Sequence, residues 1–456
     1  MPPPFDPKGL SEQKRSGQRN FSSVTVPPFT RDSNEKVILW PKTPRPIPKG
    51  GPLRLIVDVD TGVDDAMALV FALTSERATV DAITVVAGNA YLDVAYNNTL
   101  RVLKLLDRPE VPVYKGADRP ILGLWKTEKH YFGPDNFGGV SGKYPMAAPQ
   151  SESRKLAHVA MRDMIRQRPK ELTLVLLAPL TNLATAMLMD PGLTDDVAQI
   201  FVLGGTIYGT PRGAPGLAWK NNLSVHPTRI SRVQANAVNR VLSVNVIFLH
   251  YSAATSSPHL HSQRAFRWNE LSLSHAVSRS KCFPCFPNVY IAGKGNVEPG
   301  AEFNFVTDPE AARIVLQRAT CPVTFVVWEA VLQGTVQWDV YYDVVKEDTK
   351  LARFLREVNN HTIECCLKQL SRPFQLGDFL AVLAALVPDS VSGSVESRSD
   401  VELHGDYTRG QMVHAWLPQH LPHMKHNVTV VRSFDTDVVA DHFRKVFLAE
   451  DSGDSE

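Results

Sequence analysis

Four aspartates stand within eight residues at the end of one apolar run: Asp58, Asp60, Asp64 and Asp65. Carboxylates this dense repel one another unless a cation holds them, and hard cations prefer oxygen ligands. If the strand geometry of the preceding run persists, Asp58 and Asp60 point to the same side. The spacing therefore predicts a cation site where a buried strand ends.

The turn that follows these acids is predicted to lead into a helix. Gly62 permits a tight turn, and Asp64 or Asp65 can cap a helix that begins at Ala66. The alternative is a pair of capping acids on a solvated loop. We consider it weaker, because the strand before the acids is apolar and the acids are too closely spaced.

The elements around these acids follow an alternating pattern. Short apolar runs at 53–57, 82–87, 111–114, 172–178 and 200–203 are predicted strands, and segments 66–74, 93–106, 151–168 and 180–189 are predicted helices. This alternation is typical of an α/β fold, here a single large domain with a mostly parallel, Rossmann-like central sheet flanked by helices. Ligands in such sheets bind beyond the carboxyl ends of the strands, which is where the first aspartates fall.

Three further segments fall outside this pattern. Residues 1–50 are rich in Pro and Ser, carry nine basic and four acidic residues, and are interpreted as a disordered arm. Residues 210–293 carry nine basic residues and one acidic residue, lack a βα rhythm, and are interpreted as an irregular insertion. Residues 451–456 form an acidic tail. The predicted domain therefore spans 51–450, interrupted at 210–293.

Composition and charge exclude several classes of protein. Hydrophobic residues make up 43% and charged residues 21%, which is typical of a soluble globular protein with no membrane span. The formal net charge is +2, but the chain without the arm and the insertion carries −11, which gives no support for a nucleic-acid-binding face. The start of the chain lacks the apolar core of a secretory signal, and five cysteines fit a reducing compartment. We therefore expect a cytoplasmic protein.

The aspartate-rich stretch resembles the signature of the inosine–uridine-preferring nucleoside hydrolases, Asp-x-Asp-Pro-Gly-x-Asp-Asp-Ala, with Thr61 in place of proline. Further family-like motifs follow in order: Ala87-Gly-Asn89, Pro179-Leu-Thr-Asn182, Val202-Leu-Gly-Gly205, Gly295-Asn296, Glu302-Phe-Asn304, Asp308-Pro-Glu-Ala-Ala312 and Gly405-Asp-Tyr-Thr-Arg-Gly410. The resemblance covers about 53–450 apart from the insertion. It implies the nucleoside hydrolase fold, a role in nucleoside catabolism and a Ca²⁺ cofactor.

The resemblance implies roles for residues around the metal. Asp60 would touch Ca²⁺ and act as general base on the attacking water, and Asp65 would ligate through both oxygens. Leu177 would ligate through its backbone carbonyl, and Asp378 would be the last protein ligand. Asp58 would support the loop without touching the ion.

The same resemblance places five residues on the sugar: Asp64, Asn89, Asn296, Glu302 and Asn304. Cleavage of an N-glycosidic bond passes through an oxocarbenium-like sugar, which nearby carboxylates stabilise. Glu302 and Asn304 are expected to face one side of an extended segment and to hold sugar hydroxyls. Relatives are commonly dimers or tetramers, so a homo-oligomer is expected.

Two departures from the family pattern concern the departing base. Many relatives have a histidine just before the metal-binding aspartate, where this chain has Gly377. The family's His-Gly-x-Asp-Gly loop is here reduced to Phe132-Gly-Pro-Asp-Asn-Phe-Gly138. Leaving-group activation is therefore unassigned, and Trp125, His130 and Tyr131 are candidates by location alone.

Three functions remain open at this point. The first is hydrolysis of ribonucleosides to free base and ribose, with activity preserved if the insertion loops out, because loop-closure entropy grows slowly with length, and impaired if it interferes. The second is a Mg²⁺-dependent phosphatase of the haloacid-dehalogenase type, in which Asp58 would be the nucleophile. The third is a nucleoside-binding protein that has lost catalysis.

Overall fold

The computed structural model describes residues 51–125, 127, 129–150, 154–207, 295–367, 373–417 and 419–449. The predicted arm, insertion and acidic tail lie outside the described residues. Within the described part there are ten strands: β1 Leu53–Val59, β2 Ala78–Val85, β3 Val113–Lys115, β4 Leu172–Leu176, β5 Gln199–Leu203, β6 Val323–Val326, β7 Val391–Ser397, β8 Ser399–Val401, β9 Met412–His414 and β10 Val428–Phe434.

The same residues form twelve α-helices: α1 Val63–Thr74, α2 Leu92–Leu105, α3 Lys129–Phe132, α4 Ala157–Gln167, α5 Thr181–Met189, α6 Phe303–Thr307, α7 Pro309–Arg318, α8 Trp328–Gln333, α9 Trp338–Val345, α10 Lys350–Thr362, α11 Gly377–Leu386 and α12 Thr436–Phe447. Short 3₁₀ turns at Ser141–Lys143, Leu193–Asp196 and Pro388–Ser390 and a π-helical turn at Ile363–Leu367 complete the assignment.

Eight strands form one sheet in the order β3-β2-β1-β4-β5-β6-β10-β7. Every neighbouring pair is parallel except β10 and β7, which are antiparallel. Strands β8 and β9 form a separate antiparallel hairpin. The predicted mostly parallel α/β sheet is therefore confirmed.

The sheet order places β1 at a switch point. The chain moves from β1 outward through β2 and β3, and then returns to the other side of β1 with β4. Such a reversal opens a crevice beyond the carboxyl end of the central strand, where ligands bind in open α/β sheets. Asp58 pairs in register with Thr84 of β2 and Leu176 of β4, so the predicted acids lie at this crevice.

Two apolar helices cover one face of the sheet beside the acids. Residues 65–73 of α1 and 378–386 of α11 are buried throughout, as expected for helices that are hydrophobic all round. The rings of Phe71 in α1 and Phe379 in α11 stack with centroids 4.6 Å apart. Truncating such a buried ring to alanine costs about 3–5 kcal/mol of stability, so this contact helps to hold α1 against α11.

Two local predictions were wrong. Helix α1 begins at Val63 rather than at Ala66, because Asp65 lies inside the first turn and its carboxylate reaches back to the backbone N–H of Gly62. Glu302 and Asn304 do not lie on an extended segment. Glu302 caps α6, and Asn304 lies inside it.

Candidate active site

The predicted site lies along one edge of the parallel sheet. Its positions follow the carboxyl ends of four adjacent strands in sheet order: Asn89 after β2, Asp60 after β1, Leu177 after β4 and Gly204 after β5. Parallel strands end at the same edge, so residues that are far apart in sequence meet there.

Asp58 lies below this edge, inside the sheet. Its Oδ1 accepts hydrogen bonds from Thr84 Oγ1 at 2.6 Å and from Asn182 Nδ2 at 2.8 Å. Burial raises the pKa of Asp58 to about 7, against the lowering effect of these two donors. Asn182 also accepts a bond from the backbone N–H of Ala117, so Asp58 is part of a buried polar network.

Asp60 is fully buried and is held by Asn89. The backbone N–H of Asn89 donates to Asp60 Oδ2 at 2.5 Å, and Asn89 Nδ2 donates to Asp60 Oδ1 at 3.3 Å. Burial and the neighbouring charge of Asp65 raise the pKa of Asp60 well above its ordinary value. A carboxylate with a raised pKa binds a proton more readily, which is the property a general base needs.

Asp65 joins the strand end to the helix start. Its Oδ1 accepts from the backbone N–H of Asp60 at 3.2 Å, and its Oδ2 accepts from the N–H of Gly62 at 3.0 Å. Burial raises the pKa of Asp65 against these donors. The helix N-terminus supplies N–H groups that otherwise have no partner in the helix, which favours a carboxylate at this position.

Three carboxylates come together at the N-termini of α1 and α11. One oxygen each of Asp64, Asp65 and Asp378 lies within 4.8 Å of the other two, and this is the one group of its kind among the described residues. Burial and the neighbouring charge of Asp65 raise the pKa of Asp64 to about 8. Burial and the charge of Asp64 raise that of Asp378 well above its ordinary value.

The donor set of this cluster fits a hard cation. Both carboxylate oxygens of Asp378 are buried and have no hydrogen-bond partner within the described part of the chain. A buried carboxylate without donors is costly unless it is protonated or coordinates a metal. All three groups offer oxygen, the ligand atom that Ca²⁺ and Mg²⁺ prefer. The arrangement can therefore hold a divalent cation.

Leu177 presents its backbone at the same edge. Its N–H donates to the carbonyl of Asp58 at 2.8 Å, and its carbonyl accepts from Asn304 Nδ2 at 2.9 Å. Asn304 Nδ2 also donates to the carbonyl of Leu203 at 3.1 Å. Asn304 thus joins the ends of β4 and β5, and the Leu177 carbonyl keeps a second lone pair.

Glu302 bonds to backbone N–H groups on both sides of the undescribed segment 208–294. Its carboxylate accepts from Asn304 at 2.9 Å and Phe305 at 3.3 Å within its own helix, and from Gly205 at 3.0 Å beyond β5. Burial raises the pKa of Glu302 to about 7. Thr206 Oγ1 adds a bond to the carbonyl of Gly300 at 3.1 Å. The two flanks of the predicted insertion therefore meet at this site.

Asn296 lies near the start of α6, outside the carboxylate cluster. It lies on an exposed loop, and its Oδ1 accepts from the backbone N–H of Phe303 at 2.8 Å. This bond anchors the loop to the start of α6, next to Glu302. The structure therefore brings Asn296 to the edge of the site rather than into the carboxylate cluster.

Two of the residues considered for leaving-group activation have described hydrogen bonds, Trp125 and Tyr131. Trp125 Nε1 donates to the carbonyl of Gly88 at 3.0 Å, and the hydroxyl of Tyr131 lies 3.4 Å from Gln375 Oε1. A Cβ atom on Gly377 would lie 3.6 Å from Asp64 Oδ2, an ordinary contact distance. The position that carries histidine in many relatives therefore faces the site here too. The side chain of His130 lies outside the described part of the chain.

Sequence reasoning missed a buried histidine that supports the site. His414 Nε2 lies 2.9 Å from the carbonyl of Thr206, and His414 Nδ1 lies 2.9 Å from Ser399 Oγ. Burial lowers the pKa of His414, which favours the neutral ring. The β8–β9 hairpin thus holds the end of β5 through His414. Nothing in the local sequence indicates this pairing, because it depends on how the hairpin packs.

The sequence model described as inosine-uridine preferring nucleoside hydrolase matches residues 55–441 of the chain. The chain belongs to this family. Membership of the nucleoside hydrolase family argues against the haloacid-dehalogenase alternative. The matched range includes the aspartate-rich stretch and the other motifs described above.

Curated relatives of this nucleoside hydrolase family member match over part of its length. A probable uridine nucleosidase 2 from Arabidopsis thaliana is 36% identical over 154 residues, which is 33% of this chain and 47% of the relative. A pyrimidine-specific ribonucleoside hydrolase RihA from Klebsiella pneumoniae is 36% identical over 155 residues, 34% of this chain and 49% of the relative. The chain thus matches about half the length of these proteins.

Solved structures show the same fold. A plant nucleoside hydrolase, PpNRh1, superposes with a TM-score of 0.64 at 21% identity, covering 87% of this chain and 99% of the other. An inosine-guanosine nucleoside hydrolase gives a TM-score of 0.64 at 23% identity with the same coverage. Across the described residues, no helix has the length and apolar character needed to cross a membrane.

Proposed function

We propose that this chain hydrolyses the N-glycosidic bond of ribonucleosides to free base and ribose. The observation that carries the proposal is the cluster of Asp64, Asp65 and Asp378, with Asp60 beside it, at the switch point of a nucleoside hydrolase fold. The relatives' names refer to uridine and to pyrimidines, and a solved neighbour is named for inosine and guanosine. The proposal is therefore made for ribonucleosides as a class.

The metal we propose is Ca²⁺. The carboxylates of Asp60, Asp65 and Asp378 and the carbonyl of Leu177 would hold it, because together they offer only oxygen. Bound Ca²⁺ would lower the pKa of a coordinated water and help to orient the ribose hydroxyls.

In the proposed reaction, Asp60 takes a proton from the attacking water. The water oxygen bonds to the anomeric carbon while the C–N bond breaks. The electron pair of the C–N bond leaves with the base. The sugar carries positive charge in the transition state, and the surrounding carboxylates stabilise it. Asn89 holds Asp60 through two hydrogen bonds and so fixes the direction of proton transfer.

Five residues are proposed to hold the sugar: Asp64, Asn89, Asn296, Glu302 and Asn304. Glu302 and Asn304 stand at the N-terminus of α6, with their side chains bonded to the ends of β4 and β5. Asp58 is proposed to support the loop from below. The proton for the departing base is not assigned, and Trp125, His130 and Tyr131 remain candidates.

The wider organisation is also a proposal. Residues 1–50 are proposed as a disordered arm, 51–450 as the hydrolase domain with an insertion at 210–293, and 451–456 as an acidic tail. We further propose a cytoplasmic location and a homo-dimer or homo-tetramer, in line with the low cysteine content and the resemblance to the family.

Comparison of Asp58→Asn with Asp60→Asn tests the proposal. Removing a general base lowers rates by about 10²–10⁴, so Asp60→Asn should nearly abolish ribose release, whereas Asp58→Asn should only weaken it. A phosphatase would instead release phosphate from p-nitrophenyl phosphate and lose this activity completely in Asp58→Asn. If the folded protein binds ribonucleosides but releases neither ribose nor phosphate, the non-catalytic alternative replaces our proposal.

A further inference from the structure

Two buried asparagines tie the loop at residues 132–141 to the acidic site. Asn98 Nδ2 donates to the carbonyls of Thr61 and Asp135, each at 3.1 Å. Asn136 Nδ2 donates to the carbonyl of Asn89 at 2.8 Å. The bond from Asn98 therefore reaches Thr61, the neighbour of Asp60 in the chain. The bond from Asn136 reaches Asn89, which itself bonds to Asp60.

Asn136 completes a chain of hydrogen bonds that ends at Asp60. The carbonyl of Asn89 accepts from Asn136, while the N–H and the side-chain amide of Asn89 both donate to the Asp60 carboxylate. Asn89 is thus held from two sides. Without the bond from Asn136, the peptide of Asn89 could rotate, and its two donors would lose their alignment with Asp60.

The conformation of Asn136 explains which residues this position accepts. Its φ is 52°, in the left-handed region that glycine and asparagine tolerate best. Glycine would satisfy the backbone but has no amide to donate. Asn136 is only 2% exposed, and within the described residues its Oδ1 has no hydrogen-bond partner. A buried acceptor without a partner is unfavourable, so Oδ1 of Asn136 does not stabilise the fold. The favourable hydrogen bond of this side chain is the one that Nδ2 donates to the Asn89 carbonyl.

The loop itself does not depend on that side chain. The carboxylate of Asp135 accepts from the backbone N–H groups of Phe137, Gly139 and Ser141, and the N–H of Asn136 bonds to the carbonyl of Gly133. These bonds, with the bond from Asn98 to the Asp135 carbonyl, fold the loop without the side chain of Asn136. The amide of Asn136 is therefore free to act on Asn89.

We propose that Asn136 is a positioning residue that holds Asn89, and through it the Asp60 carboxylate, in the orientation needed for catalysis. This inference rests on the proposed nucleoside hydrolase function. It predicts that the loss of the amide damages the alignment of Asp60 while the fold stays intact.

The test uses Asn136→Gly in the 456-residue chain. Glycine is chosen because it keeps the left-handed backbone. Supporting residues of this kind typically contribute about 10- to 100-fold, so kcat/KM for ribose release should fall by that factor, with kcat affected more than KM. Asn136→Asp, which places a carboxylate oxygen against the Asn89 carbonyl, should lose at least as much. The double variant Asn136→Gly/Asn89→Ala should lose less than the two single effects combined, because Asn89→Ala already removes one of the two donors that Asn136 aligns and leaves only the backbone N–H to Asp60.

A second measurement follows the position of Asn89 without relying on activity. Hydrogen–deuterium exchange in a peptide spanning residues 86–92 should become faster in Asn136→Gly, because the Asn89 amide loses its alignment with Asp60. The control is Asn359→Ala. Asn359 is also buried, and its amide donates to the Leu355 carbonyl within α10. This control should leave exchange at 86–92 and kcat/KM unchanged.

Faster exchange at 86–92 together with reduced kcat/KM and a non-additive double variant supports the inference. Unchanged exchange, unchanged kinetics or full additivity in folded variants overturns it. If the wild type releases no ribose, the proposed function fails; faster exchange in Asn136→Gly would then still establish that Asn136 positions Asn89, and unchanged exchange would reject that as well.

Discussion

The backbone of Gly88 lies directly against the carboxylate of Asp60. A Cβ atom at residue 88 would lie 2.0 Å from Asp60 Oδ2 and 2.9 Å from Pro179 Cδ. Both distances are far shorter than a van der Waals contact. The close approach lets the next residue, Asn89, reach Asp60 with its N–H and its side-chain amide.

Gly88→Ala should therefore displace Asp60 and remove most of the activity. We expect kcat to fall by about 10²-fold or more, as when a general base is misplaced. Gly142→Ala is the matched control, because a Cβ there meets nothing within 4 Å. Steady-state ribose release, with circular dichroism to confirm folding, distinguishes the two variants. Wild-type kcat in Gly88→Ala would contradict the assigned position of Asp60.

Asp378→Asn should separate metal binding from stability. In the metal-free protein the substitution removes a buried carboxylate without hydrogen-bond partners, so the melting temperature should stay equal or rise. The affinity for Ca²⁺, measured by calorimetry, should also fall. Residues that only support metal ligands typically contribute about 10- to 100-fold to metal affinity, and the loss of a direct ligand should exceed this. The exposed Asp389, changed to Asn, should alter neither. Unchanged Ca²⁺ affinity in Asp378→Asn would exclude Asp378 as a ligand.

Stabilisation by Ca²⁺ should grow with pH. In the metal-free fold, burial raises the pKa of the proposed ligands Asp60, Asp65 and Asp378. It also raises the pKa of their neighbours, to about 7 for Asp58 and Glu302 and to about 8 for Asp64, above ordinary values of 3.8 for Asp and 4.5 for Glu. The native state therefore holds protons that the unfolded chain has lost. The contribution of these groups to stability is complete below pH ~4 and is lost as pH rises through 7–8.

Because Ca²⁺ binds deprotonated carboxylates, it competes less with protons at high pH. We expect the difference in melting temperature between Ca²⁺-loaded and chelated protein to be larger at pH 8 than at pH 5. At 100 times the dissociation constant, the ion adds about 2.7 kcal/mol. Differential scanning fluorimetry at both pH values measures the difference. A difference that shrinks with rising pH would argue against a carboxylate metal site.

Gly377→His should improve protonation of the departing base. A side chain fits at this position, since a Cβ would make ordinary contacts of 3.6 Å with Asp64 Oδ2 and Leu203 Cδ2. General acid catalysis contributes about 10²–10⁴-fold when well placed, so an increase of about 10-fold in kcat is a reasonable expectation for a grafted imidazole. Gly377→Ala is the control for the change in shape. Equal kcat in both variants would show that residue 377 does not reach the base.

The sequence predicts the positions of the clustered acids better than the conformation around Glu302 and Asn304. Asp58, Asp60 and Asp65 are recognisable because an apolar strand ends in closely spaced acids, a local pattern. The predicted start of α1 at Ala66 was wrong, because Asp65 lies inside the first turn and accepts a hydrogen bond from the N–H of Gly62. Asp378 joins Asp64 and Asp65 only through tertiary packing, so spacing alone does not connect them; the resemblance does.

Glu302 and Asn304 illustrate why local patterns fail. The preferred N-cap residues are Ser, Thr, Asp and Asn, so Glu302 gives no clear helix-start signal, and an extended segment is an equally reasonable prediction. The bonds of Glu302 to Gly205 and of Asn304 to Leu177 and Leu203 determine the conformation. These partners lie on other elements, across segment 208–294, which no local window of sequence includes.

The central claim is hydrolysis of ribonucleosides at a carboxylate site that needs Ca²⁺. The most direct test measures ribose and free base released from inosine and uridine by the 456-residue chain and by a form without residues 210–293. The account predicts equal amounts of ribose and base, loss of both on chelation, and recovery when Ca²⁺ is restored. It would be contradicted if both forms are folded and neither releases ribose from any ribonucleoside in the presence of Ca²⁺.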